Sequence, residues 1–311
     1  MSNKIVFIVG PTASGKTDIS LKIAERFNGE IVSADSMQIY KGIHVASAAP
    51  TDQEKSKVKH HLFEFLNLTD NFSVAQYVKL ATKTADEIIS RGKLPIFVGG
   101  TGLYFKSFSE NLTFTECEVD EQLRNKLEHK YDKIGGEALL KELSVFDNYS
   151  AQKLKPNDKK RIVRAFEVYL QSGISISKQN ELSHKNDSPF NFLKIGISYE
   201  NRDLLYRRIN NRIDLMIENG LIEEAKTTLN CANNKGAFQA IGHKEFYPYL
   251  MGKCSFEEAV ESLKMQTRRY AKRQITWFKK DADINWYYHD TNDNFENDIL
   301  NSINNFLKED E

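Results

Sequence analysis

The feature that most constrains this chain is a glycine-rich loop near its start. Residues 10–17 read GPTASGKT and match the pattern G-x-x-x-x-G-K-[ST] at every fixed position. The apolar, β-branched run Lys4–Val9 precedes the loop and predicts a strand buried on both faces of a parallel sheet. From Lys16 to Phe27, apolar residues recur every four positions, so a helix is expected directly after the loop. A strand, this loop and a helix in that order predict a phosphate-binding site.

The chemistry of the loop follows from its residue types. Two glycines let the backbone curl so that several N–H groups point inward, and the helix N-terminus adds partial positive charge. Lys16 brings a full charge to the outer phosphate, and the Thr17 hydroxyl is placed to ligate Mg²⁺. The predicted diphosphate-binding residues are Gly10, Pro11, Thr12, Ala13, Ser14, Gly15, Lys16 and Thr17. The motif indicates a di- or triphosphate without saying which.

The rest of the chain alternates between strand and helix patterns. Strands are predicted at 30–33, 94–98, 192–198 and 284–288, with a helix over 73–90. Between about 110 and 190 the pattern is helical, with charge and turns but no buried strand. We therefore expect an α/β fold, a P-loop NTPase-like parallel sheet core of residues 1–110 and 191–311. A mainly helical insertion domain of residues 111–190 interrupts it.

Composition narrows the class of protein. Lys plus Arg and Asp plus Glu are 43 each, which excludes a uniformly basic nucleic-acid coat but allows a local basic face. The apolar run near the start is too short to cross a bilayer, so no membrane association is expected. Cys117, Cys231 and Cys254 lie far apart, which disfavours a disulfide framework or a zinc finger. A cytoplasmic protein is the expectation.

A carboxylate is missing where a phosphate-loop ATPase normally has one. The strand at 94–98 runs into Gly99-Gly-Thr101, without an Asp to hold the metal. Asp35 instead follows the strand at 30–33, at the sheet edge where ligands bind. Asp35 would then face the loop across a cleft, suited to Mg²⁺ ligation through water or to general-base work. The alternative is an Asp that only caps a turn.

Six segments together resemble one family, the tRNA dimethylallyltransferases (tRNA isopentenyltransferases) of bacterial type. They are GPTASGKT, VSADSMQIY (32–40), GGTGLY (99–104), KPNDKKRIVRA (155–165), QAIGHKE (239–245) and TRRYAKRQITW (267–277). The resemblance implies transfer of the dimethylallyl group from dimethylallyl diphosphate to N6 of the adenine adjacent to the anticodon, giving N6-isopentenyladenosine. It implies that the loop holds the diphosphate of the donor and that no ATP is consumed. The chain departs from the family at His243, commonly Tyr, and at Lys160, commonly Gln, both expected to face RNA.

The resemblance implies a catalytic set of Asp35, Thr101 and Arg208. Asp35 would accept the proton of N6, and the Thr101 hydroxyl would bond the diphosphate, the adenine or the tRNA backbone. The alternative for Thr101 is an N-cap of the helix starting at Leu103. Arg208 or Arg212, four residues apart on one helix face, would stabilise the leaving diphosphate. Alternatively, both are surface arginines paired with acidic neighbours, Asp203 or Glu200.

The expected macromolecular partner is a tRNA anticodon stem-loop, bound by a monomer. Six basic residues and one acid lie between Lys153 and Arg164, and seven basic residues and no acid lie between Lys264 and Lys280. Such clusters are typical of phosphate-backbone contact, or of solvated helix faces. The predicted tRNA-binding residues are Asp35, Ser36, Met37, Gln38, Thr101, Lys160, Arg161, Ile162, Val163, Arg164, Gln239, His243 and Lys244.

Within that set, Ser36, Met37 and Gln38 are expected to line a pocket for an adenine removed from its stack. Gln38 carries the donor and acceptor needed to read an adenine edge, or it is a turn residue. Tyr270, Trp277 and Phe278 have rings that stack on bases, but their spacing favours one buried helical stripe.

Three other functions stay open. An adenylate isopentenyltransferase acting on free nucleotide has less need for a large basic insertion. A P-loop small-molecule kinase is disfavoured by the missing carboxylate after Val98. A non-catalytic RNA-binding module would not need an intact Gly15-Lys-Thr17 together with Asp35.

Overall fold

The computed structural model describes residues 3–112, 120–183, 187–231 and 236–309. Cys117 lies outside these ranges, so its predicted isolation from other thiols stays a prediction. The chain divides into two compact units, residues 1–109 with 189–311 and residues 110–188. The boundaries expected from the sequence, at 110/111 and 190/191, lie close to these divisions.

The larger unit is built on a parallel sheet. The described strands are β1 (Lys4–Val9), β2 (Gly29–Ser33), β3 (His60–His61), β4 (Leu94–Gly99), β5 (Asn191–Ser198) and β6 (Ile284–Tyr288). Their order across the sheet is β3-β2-β4-β1-β5-β6, and each described pair of neighbours is parallel. The predicted parallel α/β core is confirmed. The carboxyl ends of β1, β2 and β4 meet at one edge, where the glycine-rich loop and Asp35 follow their strands.

Helices cover both faces of the sheet. In the larger unit they are α1 (Lys16–Arg26), α2 (His44–Ser47), α3 (Asp52–Lys57), α4 (Val74–Ser90), α5 (Gly102–Ser109), and, after the smaller unit, α10 (Arg202–Glu218), α11 (Leu221–Asn230), α12 (Tyr247–Leu250), α13 (Phe256–Phe278) and α14 (Phe295–Lys308). Ser73 and Ser255 start α4 and α13 with capping boxes, which satisfy backbone N–H groups that a helix start leaves free.

Successive side chains of β1 point to opposite faces of the sheet, and each face has its own hydrophobic core. Phe7 packs with Phe97, Phe105 and other aromatic side chains on one face, and Ile8 packs with Ile96 on the other. A third cluster joins α10, α11 and α13. These three helices form a wall beside the loop end of the sheet.

The regular elements described in the smaller unit are all helices. Its helices are α6 (Glu121–Leu143), α7 (Asn148–Lys153), α8 (Lys159–Ser172) and α9 (Ile176–Ser183). Leu139, Leu143 and Phe166 belong to its core. Glu167 is 3% exposed and binds Arg124 through both carboxylate oxygens, at 2.6 and 2.9 Å. Across the described parts of both units, no helix combines the length and apolar character that a bilayer crossing needs.

One strand of the sheet, at His60-His61, is absent from the strands predicted from the sequence. The pair forms the short strand β3 at the edge of the sheet. His61 Nε2 lies 2.6 Å from the Glu30 carboxylate, which also binds Arg91 at 2.6 Å and Lys93 at 3.1 Å. Glu30 is 2% exposed, and its partners lower its pKa to about 2 against the effect of burial. The ion cluster therefore fastens β3 to β2, which apolar periodicity alone does not reveal.

Candidate active site

The glycine-rich loop curls around its own lysine. Gly10 has φ 151°, and a Cβ there would lie 2.2 Å from the Ile197 carbonyl oxygen. Gly15 precedes α1 with φ 86°, in the left-handed region that favours glycine. Lys16 Nζ donates to the Pro11 carbonyl at 2.6 Å and to Ser14 Oγ at 3.4 Å. The Lys16 ammonium group therefore lies against the loop, in the space where a phosphate would bind.

Lys16 is held in an environment that disfavours its charge. Burial, followed by the nearby Arg212 guanidinium, lowers its pKa to about 7, and Asp35 opposes the shift. An unbalanced positive field of this kind is suited to a polyanionic ligand, which would supply the missing negative charge.

Asp35 lies just beyond the end of β2 and lines the same cavity as Lys16. Its Oδ1 accepts a hydrogen bond of 2.9 Å from the Met37 backbone N–H. Burial raises the pKa of Asp35, while that hydrogen bond and the Lys16 charge act in the opposite direction. The result is a carboxyl fixed at one oxygen and more basic than an ordinary aspartate.

Thr101 joins the ends of β4 and β2. Its Oγ1 accepts from the Ser36 backbone N–H at 2.9 Å and donates to Ser36 Oγ at 3.3 Å. Tyr104 N–H bonds the Thr101 carbonyl at 2.9 Å, whereas the hydroxyl is used on Ser36. Thr101 therefore positions the segment that carries Asp35, and α5 begins one residue later at Gly102.

Two arginines of α10 reach the loop. Arg208 Nε donates to the Ala13 carbonyl at 3.0 Å, and its guanidinium lies 5.4 Å from the centre of the Tyr199 ring. Arg212, one turn further along, lines the cavity and interacts electrostatically with Asp35 and Lys16. Burial lowers the pKa of Arg212, and Asp35 counters the effect. The sequence left the choice between the two arginines open, and the structure brings both to the cavity.

Gln274 of α13 is a site residue that sequence reasoning missed. It is 5% exposed. Its Oε1 accepts from Thr12 N–H at 2.9 Å, and its Nε2 donates to the Gly100 carbonyl at 3.0 Å. One side chain therefore fixes the loop after β1 to the loop after β4. A polar residue inside a mostly basic helix was the only available signal.

One cavity of about 680 Å³, within the range typical of small-molecule sites, is lined by Lys16, Asp35, Arg208, Arg212 and Gln274, whereas Thr101 is not among its described lining residues. The described lining residues belong to the larger unit and include parts of the loop, Asp35 to Gln38, the end of α2, the end of β4, α10, the segment around Gln239 to Lys244, and α13. Tyr270 and Arg273 of α13 line it, with the Arg273 guanidinium 5.7 Å from the Tyr270 ring centre. The predicted buried stripe of Tyr270, Trp277 and Phe278 is wrong, because Phe278 is 3% exposed but Trp277 is 40% exposed.

The predicted tRNA-binding residues separate into two groups. Ser36, Met37, Gln239 and Lys244 line the cavity. Gln38 also lines it, but its Oε1 accepts from Ser33 Oγ at 2.9 Å and its Nε2 donates to the Ser47 and Ala48 carbonyls. Gln38 therefore stabilises the wall of the cavity, because its amide oxygen and its amide nitrogen both already have hydrogen-bond partners.

Three predicted RNA contacts are wrong for the side chains concerned. His243 is 0% exposed, and its Nε2 lies 2.7 Å from Glu224 Oε1. Glu224 also accepts the Val45 and Ala46 N–H groups, at 2.8 and 2.9 Å, so the pair ties α11 to the start of α2. Ile162 and Val163 are 0% and 3% exposed in the core of the smaller unit. Ile162 and Val163 belong to a basic segment, but α8 turns their side chains toward the core of the smaller unit.

The basic residues around them are accessible. Lys160 and Arg161 are exposed, and the Arg161 guanidinium lies 4.0 Å from Asp158. Arg164 is half-buried and lies 3.4 Å from Glu167. This part of α8 presents cations at the surface of the smaller unit.

A metal ion here would rely on few protein ligands. Within the described ranges, no three His, Cys, Asp or Glu side chains are grouped to hold one. Thr17 is exposed at the first turn of α1 and lines the cavity, so its hydroxyl is available beside a phosphate. The residues present fit an ion held mainly by phosphate oxygens and water, as Mg²⁺ prefers.

Residues 38–281 match the family described as IPP transferase. The chain belongs to this family. It is 46% identical over 301 residues to the tRNA dimethylallyltransferase of Acetivibrio thermocellus, covering 96% of each chain. It is 42% identical to the enzyme of Halalkalibacterium halodurans, covering 99% of this chain and 97% of the other.

Solved structures of this family agree with the fold. The full-length tRNA isopentenylpyrophosphate transferase of Bacillus halodurans matches with a TM-score of 0.74 and 40% identity, covering 99% of this chain and 98% of that one. A eukaryotic dimethylallyltransferase crystallised while acting on tRNA matches with a TM-score of 0.79 and 29% identity, covering 92% and 74%. The predicted P-loop-containing core and the predicted family are both confirmed.

Proposed function

We propose that this chain transfers the dimethylallyl group of dimethylallyl diphosphate to N6 of the adenine next to the anticodon in tRNA, giving N6-isopentenyladenosine. Family membership gives the class of the enzyme, a tRNA-modifying prenyltransferase. The observation that carries the site assignment is one cavity whose lining includes Asp35, the loop lysine Lys16 and Arg212, which interact electrostatically.

The donor occupies the loop. As the bond between C1 of the dimethylallyl group and the diphosphate oxygen breaks, negative charge grows on the diphosphate. Inward N–H groups, Lys16 and the two arginines of α10 stabilise that charge, because they are fixed before the reaction starts. Thr17 would hold Mg²⁺, which when bound neutralises part of the diphosphate charge.

The acceptor amine needs a base. The lone pair of adenine N6 is delocalised into the ring, so N6 attacks C1 only as its proton is withdrawn. Asp35 takes that proton, and its raised pKa suits the task better than that of an exposed aspartate. The C1–N6 bond forms, the C1–O bond breaks, the proton goes to Asp35 and diphosphate leaves. Thr101 keeps the Asp35 segment in place through Ser36.

The tRNA contact is proposed on the basic segments. Lys160, Arg161 and Arg164 of α8 contact phosphates of the anticodon stem-loop, and Gln239 and Lys244 contact the loop at the cavity. A tRNA substrate supports our further proposal that the enzyme works in the cytoplasm. We also propose that the working form is a monomer.

The test is product formation with labelled dimethylallyl diphosphate and either tRNA or AMP, with ATP tested separately as a phosphoryl donor. We expect label in tRNA alone, at the adenine next to the anticodon. Label in AMP with none in tRNA would indicate an adenylate isopentenyltransferase. Phosphoryl transfer from ATP without prenyl transfer would indicate a kinase and overturn the proposal.

A further inference from the structure

One face of helix α13 lines the cavity and continues along the helix beyond the last lining residue, Gln274. Tyr270, Arg273, Gln274 and Trp277 are spaced at i, i+3, i+4 and i+7, which places them in one stripe on a helix. The first three line the cavity, and Gln274 is bonded to both loops that flank the site. Trp277 is the next member of the stripe, about one turn beyond Arg273, and is exposed.

The indole of Trp277 is held in place although it is exposed. A Cβ added to Gly102 would lie 2.1 Å from indole Cδ1 and 2.2 Å from Nε1, so the ring packs directly on the Gly102 backbone. Gly102 follows Thr101, whose hydroxyl is bonded to Ser36, the neighbour of Asp35. Trp277 nevertheless keeps 40% of its surface exposed, and the adjoining Leu103 keeps 47%.

The charge around this ring matches a polyanion. Lys272, Arg273, Lys279 and Lys280 are all exposed and lie within five positions of Trp277 in the chain. The segment from Lys264 to Lys280 contains no acid. A rigid exposed aromatic ring among cations is the arrangement with which proteins bind unpaired nucleotides, since bases stack on the ring and cations attract the backbone.

We propose that Trp277 stacks on the base that flanks the acceptor adenine in the anticodon loop. This inference rests on the proposed function. An adenine removed from its stack for reaction at N6 leaves its neighbour without a stacking partner. The indole replaces that partner, while the stripe of α13 continues to Tyr270 and Arg273 in the cavity lining. Trp277 is thus an RNA-positioning residue, which acts on the acceptor strand and not on the reacting atoms.

Fluorescence tests the contact directly, because the chain has two tryptophans, Trp277 and Trp286. Trp286→Phe leaves Trp277 as the reporter, and Trp277→Phe leaves Trp286 on β6. Titration with an anticodon stem-loop RNA should quench emission from the first variant and leave that of the second nearly unchanged. A fully paired RNA of equal length, or dimethylallyl diphosphate alone, should leave Trp277 emission unchanged.

Kinetics tests the role. Trp277→Leu should raise KM for the stem-loop by about 5- to 150-fold, the range expected when one base–aromatic stack is removed. Trp277→Phe should recover much of that affinity. Met251→Ala is the matched control, since Met251 is 50% exposed and is not part of the cavity lining. KM for dimethylallyl diphosphate should stay unchanged in all three variants.

An abasic nucleotide beside the acceptor adenine identifies the stacked base. With the correct neighbour made abasic, Trp277→Leu should cause little further increase in KM. Absence of quenching by the stem-loop, an unchanged KM in Trp277→Leu, or additive effects with both neighbours would overturn the inference. If such variants still prenylate tRNA at the normal rate, the proposed function stands and only the stacking role fails. Absence of prenyl transfer in the unmodified protein would instead refute the function.

Discussion

At the scale of single residues, the site depends on opposing effects on Asp35. Burial favours its protonated form, while Lys16, Arg212 and the Met37 N–H favour its carboxylate. The base must be charged to accept a proton and basic enough to hold it, so both influences are needed. Asp35 therefore reports on the cavity as a whole, and changes in its cationic neighbours should be visible in its titration.

Replacing Asp35 by Asn should slow the chemical step by about 10²- to 10⁴-fold, because the amide cannot accept the N6 proton. The amide oxygen still accepts from Met37 N–H, so the local backbone and tRNA affinity should change little. Single-turnover rates and equilibrium binding of tRNA measure the two effects separately. An equal reduction in binding would mean that Asp35 is a structural residue.

The pH dependence follows from the raised pKa of Asp35. Only the carboxylate form of Asp35 is active, so kcat/KM for tRNA should rise with pH. The midpoint of this acidic limb should lie above 3.8, the ordinary pKa of an aspartate. Arg212 lowers the pKa of Asp35, so Arg212→Ala should move the limb to higher pH and raise KM for the donor. Arg207→Ala, an exposed change on the same helix, should leave both unchanged. A limb that stays in place in Arg212→Ala would assign it to another group.

Individual residues also mark the limit of sequence reasoning. Lys16 and Asp35 can be predicted because a motif and a strand end place them, and the structure brings both to one cavity. Gln274 was missed because its partners, Thr12 and Gly100, are 262 and 174 positions away. His243 was assigned to the surface, although Glu224 provides a buried partner that no local pattern indicates.

At the scale of elements, strand prediction worked where apolar, β-branched or aromatic residues run together. β1, β2 and β4 are buried along their whole length, whereas β5 and β6 are only partly buried but still carry such residues. The strand β3 was not predicted because its two histidines, which an ion cluster holds in place, lack an apolar strand pattern. The prediction of which face of α13 is buried was wrong because the stripe that faces the cavity is polar. No apolar face therefore indicated which side of the helix lies inward.

Gln274→Met tests whether α13 fastens the two loops of the site. The change keeps the length of the side chain but leaves Thr12 N–H and the Gly100 carbonyl without this partner. The free energy of unfolding should fall by about 2 kcal/mol, and donor affinity should fall with it. Urea unfolding and donor titration give the two values. The control is Thr276→Ala, an exposed change on the same helix, which should alter the free energy of unfolding by about 0.5 kcal/mol or less. Equal destabilisation by both changes would show that Gln274 does not fasten the two loops.

At the scale of the whole molecule, a net charge of zero conceals separation of charge along the chain. The basic stretch of α8 lies in the smaller unit and that of α13 in the larger one. Attraction to tRNA should therefore come from local fields and not from overall charge. Removing cations at different places then separates the two explanations, because the net charge changes equally in each case.

Arg161→Gln with Arg164→Gln should weaken tRNA binding and reduce the slope of log affinity against log salt by up to about 1 for each phosphate that is no longer neutralised. Lys22→Gln with Lys226→Gln is the control of equal charge, since both lysines are exposed and lie outside the basic segments. Binding across a series of salt concentrations measures both slopes. Arg164 also pairs with Glu167, so thermal unfolding of the double variant must first establish that the smaller unit is folded. A slope equal to that of the unmodified protein would move the RNA surface away from α8, whereas equal reductions in both double variants would make net charge the cause.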